Sequence, residues 1–315
     1  MLPRVTGSPP RVTVLMPTYN RAALLRRAIG SVLAQTHRDL RVLISDNGSE
    51  DDTAAVCESY ERADPRVEYS RQPTNITPVP NFSWLLSHAD TEFVLMLADD
   101  DWLAPDYVER CLAAMDRDPS LAIVTGANHY AQDDRRHKLT RDLDLTERSP
   151  SRRVLRYLHG SWSSSAFYGL LRASAVRPAL PISNVMGADW IFISAVVFAG
   201  RAVTTHETYL NREQGGASAS FAHIAEVSGL SARAARHPHA AIAFNQFRDI
   251  AFSSSAYARL GRIRRFVLGL AAGAAIVTGH PLDFAWDTFG PFIVDPRIER
   301  FTRPLLDRWR ARRPV

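Results

Sequence analysis

Two cysteines, Cys57 and Cys111, and one lysine, Lys138, are all that 315 residues contain of either type. Two cysteines build no disulfide framework, so a reducing compartment, and with it a cytoplasmic location, is the expectation. With lysine nearly absent, any phosphate contacts fall to arginine and to backbone N–H groups. No stretch reaches the roughly 18 uninterrupted apolar residues of a membrane-spanning helix. The nearest approach, Phe266 to Thr278, directly follows Arg262, Arg264 and Arg265. The first ten residues hold three prolines and no apolar h-region, and read as a disordered segment rather than a secretory signal. Internal repeats and low-complexity tracts are missing. Aromatic residues do not interleave with the basic ones, so no nucleic-acid partner is expected.

What is present is ordinary for a globular chain: 46% apolar and 23% charged residues. The net charge of +5 is uneven. Residues 240–315 carry 12 Arg against 6 acids, so the basic excess belongs to the C-terminal part. Such an excess suits an anionic lipid surface, a phosphate-bearing acceptor or simply a solvated face.

Strands and helices alternate in the first 130 residues. Val12-Thr13-Val14-Leu15-Met16 reads as a buried strand, and Ala22 to Ala34 carries helical periodicity through Leu25, Ile29 and Val32. Leu40 to Ser45 is a second buried strand, followed by cap candidates Ser49, Asp51 and Asp52 and a helix through Tyr60. Val67-Glu68-Tyr69, Phe93 to Leu97 and Leu121 to Thr125 complete the strands. Phe82 to His88 and a segment from Pro105 are helical. This alternation predicts a parallel sheet with helices on both faces, which binds ligands at the carboxyl ends of its strands. Polar clusters stand at three such ends: Pro17-Thr18-Tyr19-Asn20, Asp46-Asn47-Gly48-Ser49 and Asp99-Asp100-Asp101. Three ends bearing polar groups imply one shared site. After residue 130 the pattern weakens. Gln132 to Arg153 is charged and loop-like, Ala166 to Leu171 reads as a strand, and Asp189 to Ala199 as a nearly all-apolar helix. Beyond Phe221 the chain reads as helical to Phe247 and again from Ile250 to Val277. A break follows from Pro281 to Pro296, and a basic helix closes the chain.

Three adjacent acids after an apolar strand repel one another unless a cation sits among them. Hard oxygen ligands with open positions suit Mg²⁺ or Mn²⁺, which in turn hold a diphosphate. A single acid would also serve the positive end of the following helix, a role for which three are excessive. Asp46 can accept the imide N–H of a uracil or thymine ring, or close the turn as an Asx residue.

Taken together, these segments resemble family 2 inverting glycosyltransferases. The matches are Val14-Leu15-Met16-Pro17-Thr18-Tyr19-Asn20-Arg21, Ile44-Ser45-Asp46-Asn47-Gly48-Ser49 with Asp52-Thr53, Asn75-Ile76-Thr77-Pro78 with Asn81-Phe82, and Leu97-Ala98-Asp99-Asp100-Asp101-Trp102-Leu103. Their order and spacing carry the resemblance, over residues 11–130. It implies an α/β fold of GT-A type, a Rossmann-like, mostly parallel sheet flanked by helices, with a helical C-terminal extension. The implied organisation is a nucleotide-binding half (11–130), an acceptor half (131–220) and the extension (221–315). It implies nucleotide contacts at Pro17, Thr18, Tyr19, Arg21, Asp46, Asn75 and Asp99, and metal duty for Asp100 and Asp101. Two departures stand out: Ala98 replaces a frequent first Asp, and Thr77 a frequent Gly.

Asp189, in Met186-Gly187-Ala188-Asp189-Trp190, opens an apolar helix and is the general-base candidate that the resemblance implies; a helix N-cap is the plainer reading. Arg212 and Gln214, in a Gly-rich segment, suit a departing diphosphate or a solvated loop. The histidines form no metal-binding spacing. The implied activity is metal-dependent transfer of a sugar from a nucleoside-diphosphate sugar, UDP- or dTDP-linked, to a hydroxyl acceptor with inversion. The acceptor would be a glycan or lipid-linked sugar of cell-surface polysaccharide or glycolipid synthesis, with peripheral membrane contact through the C-terminal region. A non-catalytic nucleotide-sugar-binding module is one alternative. A nucleotidyltransferase is another, although Pro17-Thr18-Tyr19-Asn20-Arg21 lacks the glycines expected of its phosphate loop.

Overall fold

The computed structural model describes residues 10–130, 142–160, 164–213 and 220–281. In chain order the elements are β1 (Val12–Thr18), α1 (Ala22–Leu33), β2 (Leu40–Asp46), α2 (Thr53–Ala63), β3 (Val67–Arg71), α3 (Pro78–His88), β4 (Phe93–Met96), β5 (Trp102–Leu103), α4 (Tyr107–Arg117) and β6 (Leu121–Tyr130). There follow β7 (Asp144–Leu145), α5 (Pro150–Gly160), β8 (Leu170–Arg172), α6 (Ala173–Val176), α7 (Ala188–Ala199), β9 (Arg201–Arg212), α8 (Phe221–Val227), α9 (Ala232–Arg236), α10 (Pro238–Arg248) and α11 (Arg262–Gly279).

The sheet has the order β3-β2-β1-β4-β8-β6-β9-β5, with β7 also on β9. β3, β2, β1 and β4 are mutually parallel, as are β6 and β9. β8 runs antiparallel between β4 and β6, so the sheet is mixed where the alternating pattern had pointed to a parallel one. Strand side chains alternate between faces. Val12, Val14 and Met16 of β1 and Phe93 and Leu95 of β4 join α1, α2 and α4 in one core. Leu15, Val94 and Met96 join α3, α5, α7, α10 and α11 in the other. Both faces are covered, which is why these strands read as continuous apolar runs.

Helix α1 buries Leu25, Ala28, Ile29 and Val32, the i, i+3, i+4, i+7 stripe of an amphipathic helix. α7 differs: from Ile191 to Phe198 every residue is buried, so it is a central helix with neighbours all round. Its last carbonyls are satisfied by arginine. Arg153 Nε donates to Val197 O (2.7 Å) and its Nη2 to Phe198 O (3.0 Å), while Arg259 Nη2 also reaches Phe198 O (2.6 Å). Arg153 comes from α5, within a charged stretch expected to be loop. The described part of that stretch instead forms β7 and the start of α5, an amphipathic helix burying Val154, Tyr157 and Leu158. The strand expected from Ala166 begins only at Leu170, because Ser164–Tyr168 coils into a 3₁₀ turn. β9 was not expected at all. The C-terminal part is helical as read, but it is broken into shorter pieces by a π turn at Asp249–Ser253 and a 3₁₀ turn at Ser255–Tyr257. Gln214, the break after Pro281 and the closing basic helix lie outside the described residues.

Candidate functional site

Parallel β1, β2 and β4 deliver their carboxyl ends to one edge of the sheet, and the loops that leave them are stitched together there. Asn20 adopts a left-handed conformation (φ 54°), which Asn tolerates better than most residues. Its Oδ1 accepts from Glu50 N (2.8 Å), and its own N–H donates to Ser49 Oγ (2.9 Å). Arg21 N donates to Thr53 Oγ1 (3.0 Å). Asp51 accepts from Thr53 N (3.0 Å) and so carries the capping role read for this segment. Asp52, at the N-cap position, makes no such bond.

Asp46 ends β2 and is fully buried. Its Oδ1 accepts from Ser49 N (2.8 Å), its Oδ2 from the Tyr69 hydroxyl (2.9 Å), and Arg71 Nε stands 3.8 Å away. Burial and the adjacent Asp46 carboxylate push the Tyr69 phenol well above its ordinary range. The Asx-turn reading is therefore present in the structure. A carboxylate has about four acceptor sites, and these bonds occupy two of them. Asn75 lies on the β2 side of the site, its Oδ1 accepting from Asn47 Nδ2 and Thr77 N (both 2.9 Å). The chain passes so close here that a Cβ on Gly48 (φ +78°) would stand 2.9 Å from the Thr74 carbonyl carbon. Pro17 is half-buried, Thr18 buried and Tyr19 exposed at the end of β1.

The three adjacent acids divide. Asp99 lies beside Thr18, the Tyr19 amide and the charge of Arg21; desolvation, reinforced by Asp100, raises its carboxyl to about 7. Asp101 is buried and turned toward β9. Its Oδ1 accepts from Glu213 N (3.1 Å), and its Oδ2 pairs with Arg212 Nε at 3.4 Å. Burial raises Asp101 to about 6, opposed by Arg212. Asp100 remains partly exposed at the turn. Its carbonyl accepts from Arg27 Nη2 (2.9 Å), which also pairs with Glu213 (2.8 Å), while the guanidinium lies 3.7 Å over the Trp102 ring. Arg27 was not singled out in the sequence, where it is one of several polar residues on α1. Among the described residues no group of three or more His, Cys, Asp or Glu side chains forms a metal cage. Mg²⁺ seldom uses one. It takes one or two carboxylates and completes its shell with phosphate and water oxygens. A partly exposed Asp100 beside a desolvated Asp99 fits that kind of ion.

Asp189 lies in the first turn of α7, after Gly187 (φ 79°). Its carboxyl is raised above the usual range by desolvation, against the pull of the Trp190 and Asp189 amides. Tyr168 connects the two halves. Its ring carries Arg212 at 4.7 Å. Burial pushes its hydroxyl far up, and the charges of Asp101, Asp100 and Asp189 add to that while Arg212 opposes it. Tyr168 therefore lies within electrostatic reach of both the acidic turn and the α7 carboxyl. It is a second residue that the sequence pattern did not pick out.

Known proteins resemble this chain in sequence and in fold. The family model described as glycosyl transferase family 2 matches residues 13–177. A GalNAc(5)-diNAcBac-PP-undecaprenol beta-1,3-glucosyltransferase of Campylobacter jejuni is 39% identical over 95 residues, covering 30% of this chain and 31% of that protein. A chondroitin synthase of Pasteurella multocida is 35% identical over 126 residues, 40% of this chain and 13% of that one. The chain thus spans a third or less of the length of these relatives. Among solved structures, Staphylococcus aureus TarS 1-349 in complex with UDP-GlcNAc superposes with a TM-score of 0.64 at 16% identity, over 92% of this chain and 77% of that one. A mannosyltransferase from Pyrobaculum calidifontis in complex with GDP-Man and Mn²⁺ gives 0.53 at 16% identity, over 93% and 83%. The fold is of GT-A type.

Proposed function

Because the chain belongs to glycosyl transferase family 2, we propose that it transfers a glycosyl group from a UDP- or dTDP-linked sugar to a hydroxyl acceptor, with inversion at the anomeric carbon. The observation that carries this reading is the convergence of Asp99, Asp100 and the Arg212–Asp101 pair on the strand edge, with the Tyr168 ring against Arg212. One C–O bond to the acceptor forms as the bond from the sugar to the diphosphate breaks. The acceptor proton goes to Asp189, and the electron pair leaves with the diphosphate.

Each residue then has a task. Asp189, held partly desolvated, takes the proton, and its raised carboxyl is a stronger base than an ordinary carboxylate. Arg212, kept in place by Asp101 and the face of Tyr168, offers a fork of donors to the diphosphate. In this reading Asp101 acts through Arg212, and metal duty rests on Asp100 with Asp99 beside it. A Mn²⁺ or Mg²⁺ held there would neutralise charge on the departing diphosphate. Thr18, Tyr19 and Arg21 lie along the nucleoside, with Pro17 shaping their strand end. Asn75 orders the neighbouring loop, and Asp46 with Tyr69 receives the base. The Campylobacter jejuni relative is named for an undecaprenol-linked glycan, so a lipid-linked or polysaccharide acceptor on the cytoplasmic face of a membrane is the class proposed.

The test is a panel of UDP-, dTDP- and GDP-sugars assayed for diphosphate release with Mn²⁺, using wild type and Asp189→Asn. Release from a uracil or thymine donor, lost in Asp189→Asn while nucleotide binding persists, is expected. Preference for the guanine nucleotide would remove the base assignment. Unchanged turnover in Asp189→Asn would remove the role given to that residue.

A further inference from the structure

Helices α10 and α11 cross closely. A Cβ on Gly269 of α11 would stand 3.0 Å from the Phe247 ring and backbone oxygen, and one on Gly273 would stand 3.4 Å from Ala243 O. The pair buries Ile242 and Gln246 from α10 and Leu268, Ala272 and Ile276 from α11 against the rest of the molecule. The outer side of the same pair is apolar as well. Phe244 is 62% exposed, Phe252 65%, Ile263 81%, Val267 59% and Leu270 54%. Phe247, Phe252 and Phe266 stand edge to face, with centroids 5.4–6.4 Å apart, so the exposed Phe252 and Phe266 rings cluster on the half-buried Phe247. An exposed apolar cluster of this kind marks a contact surface.

The exposed charges around it are those of arginine, while Asp249, which opens the π turn carrying Phe252, is largely buried beside Arg265 and Arg248. Between Ile250 and Pro281 there are four arginines and no acid. Arg259 and Arg265 are engaged inward, on Phe198 O and on Ile250 O and Ser254 O. Arg262 and Arg264 are exposed in the first turn of α11, and Arg248 is exposed at the end of α10. Cations in a first turn face the positive end of the helix dipole, which costs stability. The first turn of α11 contains no acid to offset them. A pair of copies related by a two-fold axis would bring these arginines toward their own counterparts. An anionic lipid surface matches both the apolar cluster and its rim.

We propose that the outer face of α10 and α11 docks the protein on a bilayer containing anionic lipid, with Phe244, Phe252, Ile263 and Leu270 entering the interface and Arg248, Arg262 and Arg264 lying among the headgroups. No helix among the described residues is long and apolar enough to cross a membrane, so the contact is peripheral. The surface lies close to the candidate site. Ile242, on the inner side of α10, packs against Gly187, two residues before Asp189, and Phe244 is on the opposite side of the same helix, about 10 Å across. Docking would therefore hold α7 near the lipid headgroups. The use of that position for a lipid-linked acceptor rests on the proposed glycosyl transfer; the docking itself does not.

Flotation of the full chain with phosphatidylcholine vesicles, with and without phosphatidylglycerol, tests the docking. Binding is expected only with phosphatidylglycerol and should weaken as salt rises. Phe252→Ser/Ile263→Ser should lower vesicle affinity, and Arg262→Glu/Arg264→Glu should lower it by about tenfold or more. Melting curves of the arginine variant should lie at or slightly above wild type, because acids favour the first turn of a helix, which keeps that arm interpretable if the apolar variant unfolds. Failure to float at low salt overturns the proposal, as does floating equally well on neutral vesicles. A concentration-dependent dimer abolished by Ile263→Ser would assign the face to a second copy and also overturn it. Donor turnover on a water-soluble acceptor is read separately, so a loss of docking and a loss of transfer are told apart.

Discussion

Thr77 holds a backbone conformation (φ 69°, ψ 161°) that is almost reserved for glycine. The sequence had marked the position only as a departure from a common Gly; the structure supplies the meaning of that departure. The strain costs about 1–3 kcal/mol, and glycine's larger unfolded-state entropy gives back part of that. Thr77→Gly should therefore raise stability by about 1 kcal/mol, read from denaturant midpoints; a loss of stability would mean that the threonine side chain contributes more than its backbone costs. Asp189 is the second residue with a consequence. Its folded carboxyl lies above the ordinary value because charging it in a desolvated place is unfavourable. A base works only when deprotonated, so kcat/KM should fall on acidification with a midpoint above about 4, the unperturbed carboxylate value. A pH profile flat down to that value would contradict the role. Asp46, Asp99 and Asp189 were readable because each directly follows or opens an apolar element. Arg27 and Tyr168 were not, since their importance comes from partners distant in the chain.

At the scale of elements, what could be read was what repeats. β1, β2 and β4 announce themselves as β-branched apolar runs, and α1 by its stripe. β9 does not: Arg201–Arg212 alternates weakly and is half-exposed along much of its length. It is a strand because β6 pairs with it along one edge and β5 and β7 along the other, information that no local window contains. Its far end brings Arg212 to Asp101, so the least legible strand supplies one of the principal side chains of the site. Gly187 is a comparable case between two helices. It has φ +79°, and a Cβ would stand 2.7 Å from Ile242 Cγ1. Gly187→Ala should cost about 1–2 kcal/mol for the conformation alone, with a further loss from the contact, and should reduce activity by shifting α7 and Asp189. In an Ile242→Ala background, itself destabilised by the lost burial, Gly187→Ala should cost only the conformational part. An equal cost of Gly187→Ala in both backgrounds would show that the contact is not the cause.

Over the whole molecule, the α/β architecture and the gathering of the candidate residues at one sheet edge were legible because alternation and strand-end polarity are both written locally. The antiparallel β8 was not, since three residues between a 3₁₀ turn and a short helix carry no direction. The same sheet has a dynamic consequence. β1, β2 and β4 give alternate side chains to the two cores, so neither layer of helices can loosen without exposing strands that the other still needs. Amide protons of these three strands should therefore exchange with deuterium last and together, at the rate of global opening. α10 and α11, packed on one side only, should exchange sooner. Were the strand amides to fall into two groups with different denaturant dependences, the two cores would be separate units of opening. If they exchange as one, a substitution beneath the helices on one face will be felt as faster exchange on the other.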